Sequence, residues 1–224
     1  EASILLIEKG SKKNILLTGI YVTENIYGGG SGRVAGYDVV TILDALKDVY
    51  PNLTYKEEAT DEELKAADIV MVSVGTWDYE GSDRHFALPT EQEQLVQNCS
   101  ELNDKTMVIV NSGGGIRMTD WNNVAAIVYN WYPGQLGNVA LTEVLSGKTN
   151  PSGKLPMTIE KEFAEGPAAY YLPEGAKFMC DVDGYYDINL QEPEINRWSY
   201  DINIQNAPDS LYDVKYDEGV LVGY

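Results

Sequence analysis

The sequence predicts an α/β domain built on a doubly wound, mostly parallel sheet of about six strands with helices on both faces. Two observations predict this fold. Short apolar runs alternate with segments of helical period, and several of the runs end in glycine or polar turns at the spacing of strand–helix units. The chain has 224 residues, of which 44% are hydrophobic, so a domain with a real core is expected.

The predicted strands are short apolar runs, most of them rich in Ile, Val, Leu or Met. A continuous apolar run of this length, bounded by turn residues, is typical of a strand buried in a parallel sheet. The runs lie at residues 14–18, 53–55, 69–74, 107–110, 124–129 and 155–159.

The predicted helices alternate with these strands. Thr60 with Glu63, and Thr90 with Glu93, have the spacing of capping boxes and mark two helix starts. Apolar residues recur with a helical period in most of the remaining segments. The predicted helices cover residues 1–8, 38–49, 60–67, 90–102 and 139–145.

The pattern changes from about residue 161 onward. Tyrosine, proline and acidic residues dominate there without a sustained period. The sequence therefore predicts an α/β domain over residues 1–160 and an irregular extension over 161–224. Because a bare loop of this length is unusual, short strands are expected within the extension, for example around Tyr212 to Tyr216.

The composition excludes several classes of function. A formal net charge of −19 argues against binding nucleic acid or an anionic membrane through a basic surface. No apolar run approaches the ~20 residues of a membrane span. The two cysteines, Cys99 and Cys180, are far apart and lack metal-ligand spacing, so we interpret them as unpaired and expect neither a metal nor a cofactor.

The main candidate site follows the predicted strand at residues 69–74. This strand opens into a polar loop, and open α/β sheets usually bind ligands at the carboxyl ends of their strands. Glu80 lies there between Tyr79 and Gly81, with Trp77 nearby. A carboxyl group against aromatic surface is expected to have a raised pKa, as a general acid needs. The alternative is a solvated acidic loop without catalytic function.

Other polar features of the chain fit known motifs less well. The glycine-rich stretch Gly28–Arg33 lacks the G-x-G-x-x-G spacing and the G-K-[ST] ending of phosphate loops, so a close backbone approach to a ligand or another domain is preferred. His85 is the only histidine, and no G-x-S-x-G motif accompanies it, which argues against a serine hydrolase triad. Asp83 and Arg84 are expected to pair, either to hold the loop or to bind hydroxyl groups.

Several longer segments resemble a known family. These are EGSDRHFALPTEQEQLV, VIVNSGGGIRM and AIVYNWYPGQLGNVALTEVLSGKTNPSGKLPMT, together with GGGSGRV upstream and YDEGVLVGY at the end. In this order they resemble the second, sandwich-type domain of glycoside hydrolase family 3, which includes the β-glucosidases. The resemblance extends over essentially the whole chain.

The resemblance implies a divided active site. In this family a barrel domain comes first and supplies an aspartate nucleophile, so the chain is expected to be a fragment that lacks the barrel. The resemblance makes Glu80 the general acid/base, with Asp78 as the reserve candidate. The glycine-rich loop is expected to face the aglycone side of the pocket. The expected substrate-binding residues are Trp77, Tyr79, Asp83, Arg84, Tyr27 and Ser31.

The resemblance also implies the substrates and partners. They are a β-linked gluco-oligosaccharide or an aryl or alkyl β-glycoside, and the barrel domain of the same polypeptide, with a homodimer left open. A secreted or periplasmic location is favoured for the full-length protein. The alternative is a carbohydrate-binding or interaction module of the same fold without catalytic activity, and its exposed tyrosine and tryptophan rings would stack on sugars.

Overall fold

The structure is a computed structural model that describes residues 6–80, 84, 86–161, 165 and 219–221. The chain divides into two compact units, and all the described strands and α-helices belong to the first. Cys180 and the strand predicted around residues 212–216 lie outside the described residues. The first unit comprises residues 1–80, 90–114 and 120–152, and the second comprises residues 81–89, 115–119 and 153–224.

Five parallel strands form the sheet of the first unit, in the order β2-β1-β3-β4-β5. The central strands β1, β3 and β4 are buried along their whole length, which explains their continuous apolar sequences. In the register, Met71 lies between Leu17 on β1 and Met107 on β4. The strands are β1 (Ile15–Gly19), β2 (Leu53–Tyr55), β3 (Ile69–Gly75), β4 (Thr106–Asn111) and β5 (Ala126–Tyr129).

Four α-helices connect and flank these strands. They are α1 (Ile42–Lys47), α2 (Asp61–Ala66), α3 (Thr90–Leu102) and α4 (Gly137–Leu145). The capping box predicted at the start of α2 is present: the Thr60 hydroxyl accepts from the Glu63 N–H, and the Glu63 carboxylate accepts from the Thr60 N–H. None of the helices in the described part of the chain is both long and apolar enough to cross a membrane.

The helices cover both faces of the sheet, as the sequence predicted. Helix α1 packs beside α4, whereas α2 packs beside α3. The chain runs from β1 outward to β2, and from β3 outward to β4 in the opposite direction, so right-handed connections place α1 and α3 on opposite faces. Apolar residues of α1 and α4 pack on the sheet in one continuous core, which includes Ile42, Leu46, Leu141 and Leu145.

The order of the strands creates a switch point between β1 and β3. From this pair the chain continues to opposite edges of the sheet, so the loops that follow β1 and β3 diverge at their carboxyl ends. Ligands of open α/β sheets bind in the crevice formed at such a point. The glycine-rich stretch follows β1 and the loop that carries Glu80 follows β3, so the fold places both sequence-predicted features at the switch point.

Two of the predicted helices differ from the structure. The helix predicted from residue 38 begins only at Ile42, because Asp38 has a φ of 46° and the Thr41 side chain caps the N–H of Asp44 instead. The described part of the helix predicted over residues 1–8 is not helical. The N–H of Ile7 donates to the carbonyl of Leu145, at the end of α4, over 2.9 Å.

The sixth predicted strand, at residues 155–159, is absent; these residues are described and form no strand. Pro156 lies within the run and has no N–H to donate to a neighbouring strand. Leu155 is also half exposed, so the apolar run is not a buried strand. The sheet therefore has five strands among the described residues rather than the six that the sequence suggested.

Candidate active site

The candidate site begins at the carboxyl end of β3, where Gly75 extends past β1. The last paired residue of β1 is Gly19, opposite Ser73, so no strand reaches the backbone of Gly75 on that side. The Gln92 side chain of α3 takes the place of the strand. Its Oε1 accepts from the Gly75 N–H over 2.8 Å, and its Nε2 donates to the Gly75 carbonyl over 3.0 Å. Gln92 thereby fixes the point where the next loop starts.

Residues 76–80, here called the Glu80 loop, pack against residues 28–31, here called the glycine loop. The N–H of Gly29 donates to the carbonyl of Asp78 over 2.8 Å. A Cβ on Gly29 would overlap the rings of Tyr79 and Trp77, so only glycine permits this approach. The backbone of the glycine loop therefore lies against another loop of the same unit. The predicted close approach of this stretch to a ligand or another domain stays a prediction.

Glu80 is exposed, and the glycine loop holds its carboxylate. The N–H of Ser31 donates to Oε2 of Glu80 over 2.7 Å. The Ser31 hydroxyl, and after it the Ser31 N–H, lower the pKa of Glu80 below its usual value. The raised pKa predicted from the neighbouring aromatic residues is therefore wrong for this chain. The rings of Trp77 and Tyr79 lie over Gly29 and leave the Glu80 carboxyl in solvent, where hydrogen bonds outweigh desolvation.

Unlike the Glu80 carboxylate, the Asp78 carboxylate is bound by the backbone that follows β4. Its Oδ2 accepts from the N–H of Gly113 over 2.8 Å, and its own N–H donates to the Tyr132 hydroxyl over 2.7 Å. The same hydroxyl donates to the carbonyl of Thr76 over 3.0 Å. The Tyr132 hydroxyl thus bridges the Thr76 carbonyl and the Asp78 N–H within the Glu80 loop. The Asp78 residue is half-buried. This arrangement favours Glu80 over Asp78 as the group that reaches a ligand.

Two exposed aromatic side chains lie on the Glu80 loop. The rings of Trp77 and Tyr79 lie 5.4 Å apart, and they are 54% and 38% exposed respectively. Tyr27 directly precedes the glycine loop, and the guanidinium of Arg33 lies 5.3 Å from the centre of its ring. The exposed rings of Trp77 and Tyr79 offer apolar faces on which a sugar can stack.

The remaining predicted site residues, Asp83 and Arg84, belong to the second compact unit. Asp83 and His85 lie outside the described residues, so the expected pairing of Asp83 with Arg84 stays a prediction. The guanidinium of Arg84 donates to the carbonyl of Gly115 over 2.8 Å, and both residues belong to the second compact unit. Arg84 thus has a structural hydrogen bond within that unit.

A chain of asparagine side chains, which the sequence did not reveal as functional, joins the site to the sheet. Asn111 donates to the Ser73 hydroxyl over 3.0 Å and accepts from Asn130 over 2.9 Å. Asn130 also donates to Asn138 over 3.2 Å, and Asn138 donates to Asn25 over 3.2 Å. This network connects the ends of β3 and β4 to the segment that leads into the glycine loop.

One sequence signal could have located part of this support. The segment Asn130–Asn138, NWYPGQLGN, follows β5 and supplies Asn130, Tyr132 and Asn138. This segment is part of the family resemblance, but the sequence alone did not show that the Tyr132 hydroxyl bonds to the Glu80 loop or that the two asparagines bond to each other. Gln92 had no distinguishing signal, because it is one polar residue among several on the first turns of α3.

An open parallel sheet with carboxylates at its switch point defines an α/β domain suited to bind a ligand at its carboxyl edge. The particular family is shown by sequence comparison. The chain belongs to the family described as glycosyl hydrolase family 3 C-terminal domain, whose model matches residues 2–224.

The relatives of the chain are beta-glucosidases. A beta-glucosidase of Rhizobium radiobacter is 40% identical over 168 residues, which cover 73% of this chain and 17% of that protein. Another, from Bacteroides ovatus, is 29% identical over 203 residues, which cover 76% of this chain and 27% of the relative. The chain therefore spans about a quarter or less of the length of these relatives.

Solved structures share the fold. Beta-glucosidase 3B of Thermotoga neapolitana, in complex with glucose, matches 78% of this chain with a TM-score of 0.66 and 23% sequence identity. A beta-glucosidase of Paenibacillus barengoltzii matches 79% of this chain with a TM-score of 0.65 and 24% identity. The matches cover 30% and 24% of those chains, respectively.

Proposed function

We propose that this chain is the second domain of a retaining, exo-acting β-glycosidase, with β-glucosidase as the favoured activity, and that Glu80 is its general acid/base. The observation that carries the proposal is the position of Glu80: an exposed carboxylate at the switch point of a glycosyl hydrolase family 3 C-terminal domain. The relatives are beta-glucosidases, which supports a β-linked gluco-oligosaccharide or an aryl or alkyl β-glycoside as substrate.

The proposed chemistry uses Glu80 twice. A retaining glycosidase needs two carboxyl groups about 5 Å apart, one as nucleophile and one as acid and then base. In the first step Glu80 protonates the departing glycosidic oxygen while the nucleophile attacks the anomeric carbon. In the second step Glu80 removes a proton from water, which hydrolyses the glycosyl-enzyme. The sugar is released with its anomeric configuration retained.

The lowered pKa of Glu80 fits the second step directly. An ionised carboxylate is the form that a base needs, and the hydrogen bonds from Ser31 favour that form. The first step needs the protonated form. Glu80 is exposed in this chain. A substrate and a partner domain that cover it would remove water and raise the pKa of its carboxyl group towards the value that a general acid needs.

The nucleophile is proposed to come from a barrel domain of the same polypeptide. The relatives matched are about four times longer than the matched region or more, so they have room for such a domain. A direct consequence is that the 224-residue chain alone should not hydrolyse an aryl β-glucoside. Turnover by the purified chain, at a rate above that of a Glu80→Ala control, would contradict the divided site.

The role of Glu80 is tested by the dependence on the leaving group in the full-length polypeptide. We expect Glu80→Ala to slow alkyl glucosides, which need protonation, by about 10²–10⁴-fold. Dinitrophenyl glucoside, whose leaving group departs without a proton, should be slowed far less in the first step. Asp78→Ala is the matched control, because its carboxylate is held by Gly113. Equal effects of Glu80→Ala on both substrates would contradict the assignment.

The exposed pair Trp77 and Tyr79 supports a second candidate, a carbohydrate-binding module without catalytic function. The two candidates are distinguished by binding affinity and by turnover. A binding module would keep its affinity for a gluco-oligosaccharide in Glu80→Ala and lose it in Trp77→Ala, and the full-length polypeptide would keep its turnover in Glu80→Ala.

A further inference from the structure

We propose that the glycine loop is a positioning element for the Glu80 carboxylate: the Ser31 N–H occupies Oε2 and leaves Oε1 as the oxygen that carries the transferable proton. The catalytic meaning of this inference rests on the proposed function. The positioning itself does not, because it follows from contacts within the first compact unit.

The geometry of Gly30 makes the contact specific. Gly30 has a φ of 69°, which residues with a side chain rarely adopt, and this turn precedes the Ser31 N–H that points at Glu80. A Cβ on Gly30 would lie 2.6 Å from the Glu80 Cβ and 3.1 Å from its Oε2. A side chain at position 30 would therefore displace the carboxylate from the Ser31 N–H.

Hydrogen bonds anchor the glycine loop at Gly29 and, before the loop, at Asn25, so the contact is not one between two loose loops. The Gly29 N–H is bonded to the carbonyl of Asp78, and the Tyr132 hydroxyl holds the N–H of the same residue. The segment before the loop is tied through Asn25, whose amide donates to the Gly134 carbonyl over 3.1 Å. The donor and acceptor of the Ser31–Glu80 bond are thus carried by one connected framework.

The bond has a chemical consequence for proton transfer. An N–H group donates and cannot accept, so the oxygen that it occupies is the poorer site for a proton. The proton of a neutral Glu80 is therefore directed to Oε1, while Oε2 keeps its hydrogen bond as a carbonyl oxygen. The Ser31 hydroxyl, and after it the same N–H, favours the ionised form of Glu80 and lowers the pKa of its carboxyl group.

The test is a carbon-13 NMR titration of the Glu80 carboxyl in the 224-residue chain. Gly30→Ala should raise the pKa of Glu80, because the new methyl group displaces the carboxylate. Gly32→Ala is the matched control, since a Cβ at Gly32 meets nothing within 4 Å, and it should leave the pKa unchanged. A Glu80 pKa that is equal in the parent, Gly30→Ala and Gly32→Ala would overturn the proposal.

A second pair of variants decides the matter if Gly30→Ala does not fold. Ser31→Pro removes both the hydroxyl and the N–H, whereas Ser31→Ala removes only the hydroxyl. We expect the pKa of Glu80 to rise in Ser31→Ala and to rise further in Ser31→Pro. Equal values in the two variants would show that the N–H does not hold the carboxylate, and would overturn the proposal.

The titration and the proposed function can fail separately. If the pKa responds as expected but Glu80→Ala keeps full activity on alkyl glucosides in the full-length polypeptide, the positioning stands and the acid/base assignment fails. If Glu80→Ala loses that activity but the titration shows no response, the assignment stands and the positioning by Ser31 fails.

Discussion

Replacing Gln92 with methionine tests how the site is attached to the sheet. Methionine is unbranched and of similar size, so it fills the space of Gln92, which is only 9% exposed, but cannot make the two hydrogen bonds to Gly75. The N–H and the carbonyl of Gly75 would then lose their partner on the side where β1 has ended. An unsatisfied buried group costs about 1–3 kcal/mol, so the pair should cost about 2–6 kcal/mol.

The assay is urea and thermal unfolding of the 224-residue chain. For a chain of this size, each kcal/mol lowers the melting temperature by about 2–4 °C, so Gln92→Met should lose at least about 4 °C. Gln97→Met is the matched control: the same substitution in the same helix, at an exposed residue. If the two variants are equally stable, Gln92 does not satisfy the backbone of Gly75 and the reasoning is wrong.

Further predictions concern two tyrosines. Burial raises the pKa of Tyr50 to about 12. The neutral side chain therefore adds about 3 kcal/mol to the free energy of unfolding relative to the ionised one, and this difference is complete below about pH 10 and is lost as the pH rises towards 12. Tyr50→Phe should flatten this alkaline dependence in thermal unfolding, and a variant with the parent's pH dependence would contradict the reasoning. At neutral pH the substitution should lower the free energy of unfolding by about 1–3 kcal/mol, because the Ile7 carbonyl loses its donor. Tyr132→Phe should accelerate hydrogen exchange at the N–H of Asp78, and unchanged exchange would show that its hydroxyl does not hold the Glu80 loop.

The sequence predicted correctly those features that depend on residues close together in the chain. The apolar run after Asp68 is a strand buried on both faces, and the Thr60–Glu63 spacing forms the predicted capping box. Both features depend on residues adjacent in the chain. The alternation of strands and helices also predicted the doubly wound sheet correctly, because few topologies satisfy right-handed connections.

The sequence did not predict features that depend on contacts between residues far apart in the chain. The pKa of Glu80 was predicted from its aromatic neighbours along the chain, but Ser31, 49 positions away, controls its carboxylate. The hydrogen bonds of Gln92 and Tyr132 likewise depend on strand order, which determines what lies beside the end of β3. Asp38 differs for a local reason. The helical period of the segment predicted a helix from this residue, but the positive φ of Asp38 excludes it from α1.

The measurement that tests the central proposal most directly is the rescue of Glu80→Ala by azide in the full-length polypeptide. With dinitrophenyl β-glucoside, the glycosyl-enzyme should form but wait for a base, and azide, a nucleophile that needs no deprotonation, should release it. We expect azide to restore turnover in Glu80→Ala and to give a β-glucosyl azide of retained configuration, whereas Asp78→Ala gives no such product. Unchanged turnover with azide and glucose as the only sugar product would contradict the assignment of Glu80 as the acid/base.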